Sequence, residues 1–221
     1  MVRADKTKAV SLLRDVVKKD SDHVDAYLQL GNILRDSNPQ QAVKIHQTLT
    51  VRTNLSIEIQ EDIHQALALD YKTLNNLVRA RKEAEQILRL NKHSQWAVEF
   101  LLSLSVQEKN WDQAADRARQ LQKLTGNKNP NELTIYTIYK GLEKMKQDKK
   151  HDAKSFFEKA IKKAPELGLS YRYLGHVYAE SRDLVKAVEN WERFAELSPG
   201  NASMVLMKLN LPFLIWVAIA K

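Results

Sequence analysis

Cysteine is absent from the 221-residue sequence, which removes disulfides, iron–sulfur clusters, thiol nucleophiles and cysteine-based zinc knuckles in one step. Glycine and proline are scarce, at six and five residues. A sandwich or barrel of many short strands needs a turn after each strand, so that scarcity favours helices joined by short connections. The phosphate-binding and hydrolase signatures GxxxxGK(S/T), GxGxxG and GxSxG do not occur. Nor does HExxH, and no paired ligand spacing links His23, His46, His64, His93, His151 and His176. No enzymatic activity, metal or cofactor is therefore expected.

Long apolar runs are missing too. The first residues, MVRADKTKAVSLLRD, are charged and amphipathic, unlike a secretory signal, and set the expectation of a cytoplasmic chain. The C-terminal stretch 203–221 is apolar nearly all round, but Lys208, Asn210 and Pro212 interrupt it. Only eight apolar residues follow the proline, where about 20 are needed to span a bilayer.

What is present is an ordinary soluble composition, 43% apolar and 28% charged, with a net charge of +8. A basic balance suits nucleic acid, anionic lipid or acidic proteins. The nine lysines between Lys140 and Lys163 interleave with Glu143, Asp148, Asp152 and Glu158, the pattern of a solvated helical face.

The decisive feature is a repeat. Residues 134–165 align with 168–199: Gly141 with Gly175, Ala153 with Ala187, Phe157 with Trp191, Ala160 with Phe194 and Pro165 with Pro199, each 34 residues apart. Small residues at the eighth and twentieth positions let two helices approach closely, and large ones fill the space around them. Ala80 to Ala114 is again 34 residues, whereas Ala42 to Ala80 is 38 and Ala114 to Ala153 is 39. The extra residues fall in connections around 50–56 and in TGNKNPN, 125–131. Ala9 behaves as the small residue of a second helix with no first helix before it.

This period and pattern resemble the tetratricopeptide-repeat (TPR) family. The resemblance implies an all-α fold: a right-handed TPR solenoid of about five helix pairs, with a half repeat at the N-terminus and an extra C-terminal helix. The expected organisation is an array over 1–201, with repeats about 23–50, 57–91, 93–125, 131–165 and 167–199. A capping or interface helix over 202–221 completes it. Within the class, AYLQLGNILRDSNPQQAVKIHQTL at 26–49 is more specific. Its LGN with Arg35, its KIHQTL, and NWDQAADRARQLQKL at 110–124 resemble the bacterial lipopolysaccharide-assembly protein B family. That resemblance implies a regulator that helps the membrane protease FtsH control the level of LpxC, the committed enzyme of lipid A synthesis. Family members also carry a membrane-anchoring helix before the repeats and a four-cysteine metal domain after them. If the chain is part of such a protein, it works at the inner face of the membrane.

Function in such arrays lies on the concave face of the first-helix series, so the chain is expected to be a scaffold that binds a partner helix or peptide. Taking the second, fifth, ninth and twelfth positions as groove-facing gives Asp25, Leu28, Asn32 and Arg35, then Asp62, Gln65, Leu69 and Lys72, then Trp96, Glu99, Ser103 and Val106. The fourth repeat gives Ile135, Ile138, Leu142 and Met145, and the fifth Leu169, Arg172, His176 and Ala179. The apolar stripe Ile135–Ile138–Leu142–Met145 suggests a greasy groove; alternatively that helix is rotated, with the stripe packed inside and Tyr136 and Tyr139 outward. Asn32 lacks the lysine that a chaperone-type carboxylate clamp requires, so chaperone C-termini are not expected. His46 falls where the pattern places a large core residue. The apolar Phe213, Leu214, Ile215, Trp216 and Val217 suggest self-association as a homodimer, the alternative being an internal cap. A different class of reading, an RNA-binding helical repeat using the basic surface, would need basic and aromatic groups repeated on one face. The candidate groove mixes apolar and acidic groups instead, and nucleic acid is not the expected partner.

Overall fold

The computed structural model describes residues 2–198, with side chains from residue 5. Eleven α-helices and no strand occur among the described residues. The chain divides into two compact units between Glu108 and Lys109. The third expected repeat, 93–125, therefore gives its first helix to one unit and its second to the other.

In the first unit α1 (Val2–Lys19) precedes α2 (Val24–Leu34), α3 (Pro39–Leu49), α4 (Ile57–Thr73), α5 (Leu77–Leu90) and α6 (Gln95–Gln107), and each helix packs on the next. Leu30, Leu34 and Ala42 form a small core against Val10, Leu13 and Val17 of α1. A larger one runs from Leu28 and Leu49 through Ile63, Leu67 and Tyr71 to Leu101 and Leu104. In the second unit α7 (Trp111–Thr125), α8 (Pro130–Lys146), α9 (Lys150–Lys163), α10 (Gly168–Glu180) and α11 (Leu184–Leu197) also stack in chain order. Their core joins Ile138, Ala153, Phe157, Ala160, Leu174 and Val177.

Helix ends follow from local chemistry. Asn38, Ser56, Asn76, Ser94, Asn110, Asn129 and Asp183 cap α3 to α8 and α11 with side-chain oxygens that accept first-turn N–H groups. After α4, α8 and α10 a residue in the left-handed region, Asn75, Asp148 or Arg182, reverses the chain. The following amide then donates back to the carbonyl of Tyr71, Lys144 or Tyr178, closing the exposed helix end.

Close helix approach is visible at the repeated glycine. A Cβ on Gly141 would lie 2.5 Å from the Phe157 ring, and one on Gly175 equally near Trp191, so no larger residue fits. Gly31 stands in the same relation to the imidazole of His46, which thus takes the place of the aromatic residue.

Candidate functional site

The outward faces of α2 and α4 form a depression of about 440 Å3 lined by Leu28, Gln29, Asn32, Arg35, Asp62, Gln65, Ala66 and Leu69. Helical spacing brings Leu28, Asn32 and Arg35 to one face of α2, and Asp62, Gln65 and Leu69 to one face of α4. Asn32, Arg35, Gln65 and Leu69, expected in the groove, thus share one pocket.

Arg35 is not a free groove residue. Its Nε donates to Asp70 Oδ1 at 2.7 Å, and its Nη2 donates to Asn32 Oδ1 at 2.5 Å and to the Ala66 carbonyl at 3.4 Å. Asp70 is wholly buried, and its other oxygen lies 2.5 Å from His46 Nδ1. The far ring nitrogen, Nε2, sits 3.2 Å from the Leu28 carbonyl. Both ring nitrogens thus face oxygen atoms, one of the Leu28 carbonyl and one of the Asp70 carboxyl group. Trp191 Nε1 donates at the same distance to the Arg172 carbonyl, the equivalent acceptor in the last repeat. The buried carboxylate is thereby held by three helices, and Arg35 ties the groove wall to it.

Sequence reasoning assigned His46 to the core but did not single out Asp70. The available signal was a charged residue on the same face of α4 as Ile63 and Leu67, where a solvated helix would not place it.

A second depression, about 680 Å3, shares Asp62 and Gln65 with the first and continues along Ile57, Glu58 and Glu61 to Arg89, Lys92 and His93. Trp96 and Glu99 line neither pocket. Trp96 is half-buried and stacks on Phe100 at 4.9 Å, while Glu99 is exposed and accepts a bond from Gln95. Lys72 Nζ donates to Ser103 Oγ at 3.2 Å, joining α4 to α6.

In the second unit the apolar stripe of α8 faces inward. Ile138 is 0% exposed, and Ile135, Leu142 and Met145 pack half-buried against the same core with Leu174 and Val177 of α10. Ile138 is therefore removed from any water-lined groove, because the next repeat covers it. Tyr139 faces outward and lies 4.9 Å from the Trp111 ring, whose Nε1 donates to Glu143. On α10, Arg172 lies over the Tyr173 ring, and its Nε is buried without a partner. His176 meets Trp191 edge-on at 5.7 Å. Burial pushes the His176 pKa down, nearby Arg172 adds to this, and Glu180 opposes it.

Lysines of the basic stretch are partly matched: Lys140 with Asp112, Lys150 with Asp148 and Glu180, and Lys154 with Glu158. Among the described residues no group of His, Asp and Glu could hold a metal ion, and no helix is long and apolar enough to cross a membrane. The self-association candidates Phe213, Leu214, Trp216 and Val217 lie outside the described residues.

No family model matches the chain. Lipopolysaccharide assembly protein B of Escherichia coli K12 is 28% identical over 187 residues, covering 84% of this chain and 48% of that protein. This similarity joins the glycine-to-aromatic closure repeated at 34 residues. The chain has a helix-pair repeat fold of the tetratricopeptide-repeat type and resembles lipopolysaccharide assembly protein B. The Haemophilus influenzae protein of that name is 24% identical over 212 residues, or 91% of this chain and 53% of its own length. The chain thus spans about half the length of the curated relatives it matches. A solved structure described as YrrB, a TPR protein with an unusual peptide-binding site, aligns with a TM-score of 0.47 and 16% identity over 90% of this chain and 98% of that one.

Proposed function

We propose that the chain is a non-catalytic scaffold that seats a peptide or helix of a partner protein in the depression between α2 and α4. The observation that carries this is the convergence of Asn32, Gln65 and Leu69 around an open pocket whose wall is braced from behind by buried Asp70. A braced wall holds its shape while the partner is ordered, which limits the entropy lost on binding. By resemblance to lipopolysaccharide assembly protein B, the partners are the protease FtsH and its substrate LpxC, met on the cytoplasmic side of the membrane. The apolar C-terminal residues 213–217 are the candidate contact for a second copy.

Purified FtsH cytoplasmic domain and LpxC, each titrated with the chain, test the pathway. Gln65→Trp fills the pocket from its solvent side and is expected to weaken binding about tenfold, or 1.4 kcal/mol, with the melting temperature unchanged. Absence of binding to both proteins removes the lipid A reading. Binding that ignores Gln65→Trp removes the groove. Sedimentation equilibrium of the chain against a version ending at Asn201 tests the homodimer; monomer masses for both versions dismiss it.

A further inference from the structure

Charge is unevenly placed along the chain. Residues 1–108 carry 15 basic and 14 acidic side chains, whereas 109–221 carry 20 and 13, so +7 of the net +8 belongs to the second unit. Asymmetry of this kind between halves points to an anionic partner for one of them.

The cations of the second unit that pair with nothing meet at one end. α7 to α11 stack in chain order through short turns, which puts the N-terminal ends of α7, α9 and α11 on one edge. A depression of about 470 Å3 shared by Lys109 and Lys144, and a 3.5 Å ion pair from Lys150 to Glu180, tie these ends together. Lys109, Lys149 and Arg182 are exposed there. Each stands at or just before the start of a helix, where the helix dipole makes a cation unfavourable. Lys149 also leaves α9 without a side-chain cap, and Lys109 and Arg182 hold φ at 56° and 62°, which costs a residue with a Cβ. None of the three serves the fold.

The acids of this edge are already taken: Asp112 by Lys140, Asp148 and Glu180 by Lys150, and Asp183 by Lys186. Lys109, Lys144, Lys149 and Arg182 have no carboxylate within ion-pair distance among the described residues. In the first turn of α11, Leu184 and Val185 are 54% and 71% exposed. Unpaired cations beside exposed aliphatic groups match a lipid headgroup region, where the cations meet phosphate and the aliphatic groups enter the acyl boundary. Single-stranded nucleic acid asks instead for open aromatic faces on which bases stack. The rings at this end are engaged: Trp111 with Tyr139, Phe156 with Lys140 and Lys159 at 6.0 and 5.5 Å, and Tyr178 with Lys154 and Lys186 at 5.0 and 5.4 Å.

We propose that this edge of the second unit is a peripheral binding surface for an anionic lipid membrane. Lys109, Lys149 and Arg182 contact the phosphate headgroups, and Leu184 and Val185 insert between them. The contact is independent of the groove between α2 and α4.

Sedimentation of the whole chain with vesicles of phosphatidylcholine alone, and of an equal mixture with phosphatidylglycerol, is the test. Binding is expected to the mixed vesicles only, and to weaken as salt is raised. Lys109→Asn, Lys149→Asn and Arg182→Asn together remove the cations. Asparagine tolerates positive φ and caps helices, so the melting temperature should not fall. Each cation removed is expected to lower vesicle affinity about fivefold, and the triple variant roughly a hundredfold. Leu184→Gln with Val185→Thr should lower it about tenfold at unchanged charge, and an unchanged affinity would strike the insertion of these two side chains. Lys159→Asn, Lys162→Asn and Lys163→Asn remove the same charge up to about 20 Å away along α9, beyond the screening length, and should cost no more than about threefold. Equal losses from the two triple variants would mean that net charge alone attracts the membrane, and would overturn the proposal. Failure to bind either vesicle overturns it as well. If a single-stranded oligoribonucleotide binds instead, and the first triple variant abolishes that binding, the edge belongs to nucleic acid.

Discussion

A carboxylate with no exposed surface is costly unless each oxygen is matched, and Asp70 is matched by Arg35 on one side and His46 on the other. Removing one partner is worse than removing the pair. Arg35→Ala should therefore destabilise the first unit by roughly 3–5 kcal/mol in urea melts, while Arg35→Gln with Asp70→Asn should cost much less. Equal losses would mean the buried charge is not what Arg35 stabilises. His176 supplies a residue-scale dependence on pH. Its folded pKa is lowered by burial and by Arg172, so folding favours the neutral ring. That contribution is present above the ordinary value of 6.5 and is lost as pH falls through the folded value. Thermal melts between pH 7.5 and 5 should show a decline that His176→Gln reduces; an unchanged slope would place the acid sensitivity elsewhere.

At the scale of the element, the helices that start after a reversal show what one side chain contributes. Asn76 and Asp183 cap α5 and α11, but the equivalent Lys149 gives α9 no side-chain cap. Lys149→Asn supplies the missing acceptor and is expected to stabilise the second unit by about 1 kcal/mol, read as a higher denaturation midpoint. Helix positions were largely legible in the sequence, because the small-to-large closure recurs at 34 residues in Gly141–Phe157 and Gly175–Trp191. The groove was legible only in part. On α8, Ile135, Ile138, Leu142 and Met145 lie on one stripe whether that stripe meets water or the next repeat, since both faces obey the same helical period. Only the packing of α10 distinguishes the two. The partners of Asp70 were illegible for another reason: Arg35 and His46 are 35 and 24 residues away, and nothing local marks them as its partners.

At the scale of the whole molecule, each unit has a core of its own, one centred on Leu67 and Leu101 and the other on Phe157 and Leu174. Repeat arrays derive stability from each repeat and its immediate neighbours, so a core lesson in one place is felt most strongly nearby. Ile138→Ala removes three carbons from a fully enclosed site touched by α9 and α10, and a loss of roughly 2–4 kcal/mol is expected. Hydrogen exchange read by mass spectrometry should show faster exchange through α8, α9 and α10, because local opening there becomes easier. Amides of α2 to α5 should keep their protection, since their core includes no residue of the second unit. A uniform loss of protection from α2 to α11 would mean that the chain opens as one cooperative body. Unchanged exchange at α8 would mean that Ile138 is not the core residue its burial indicates.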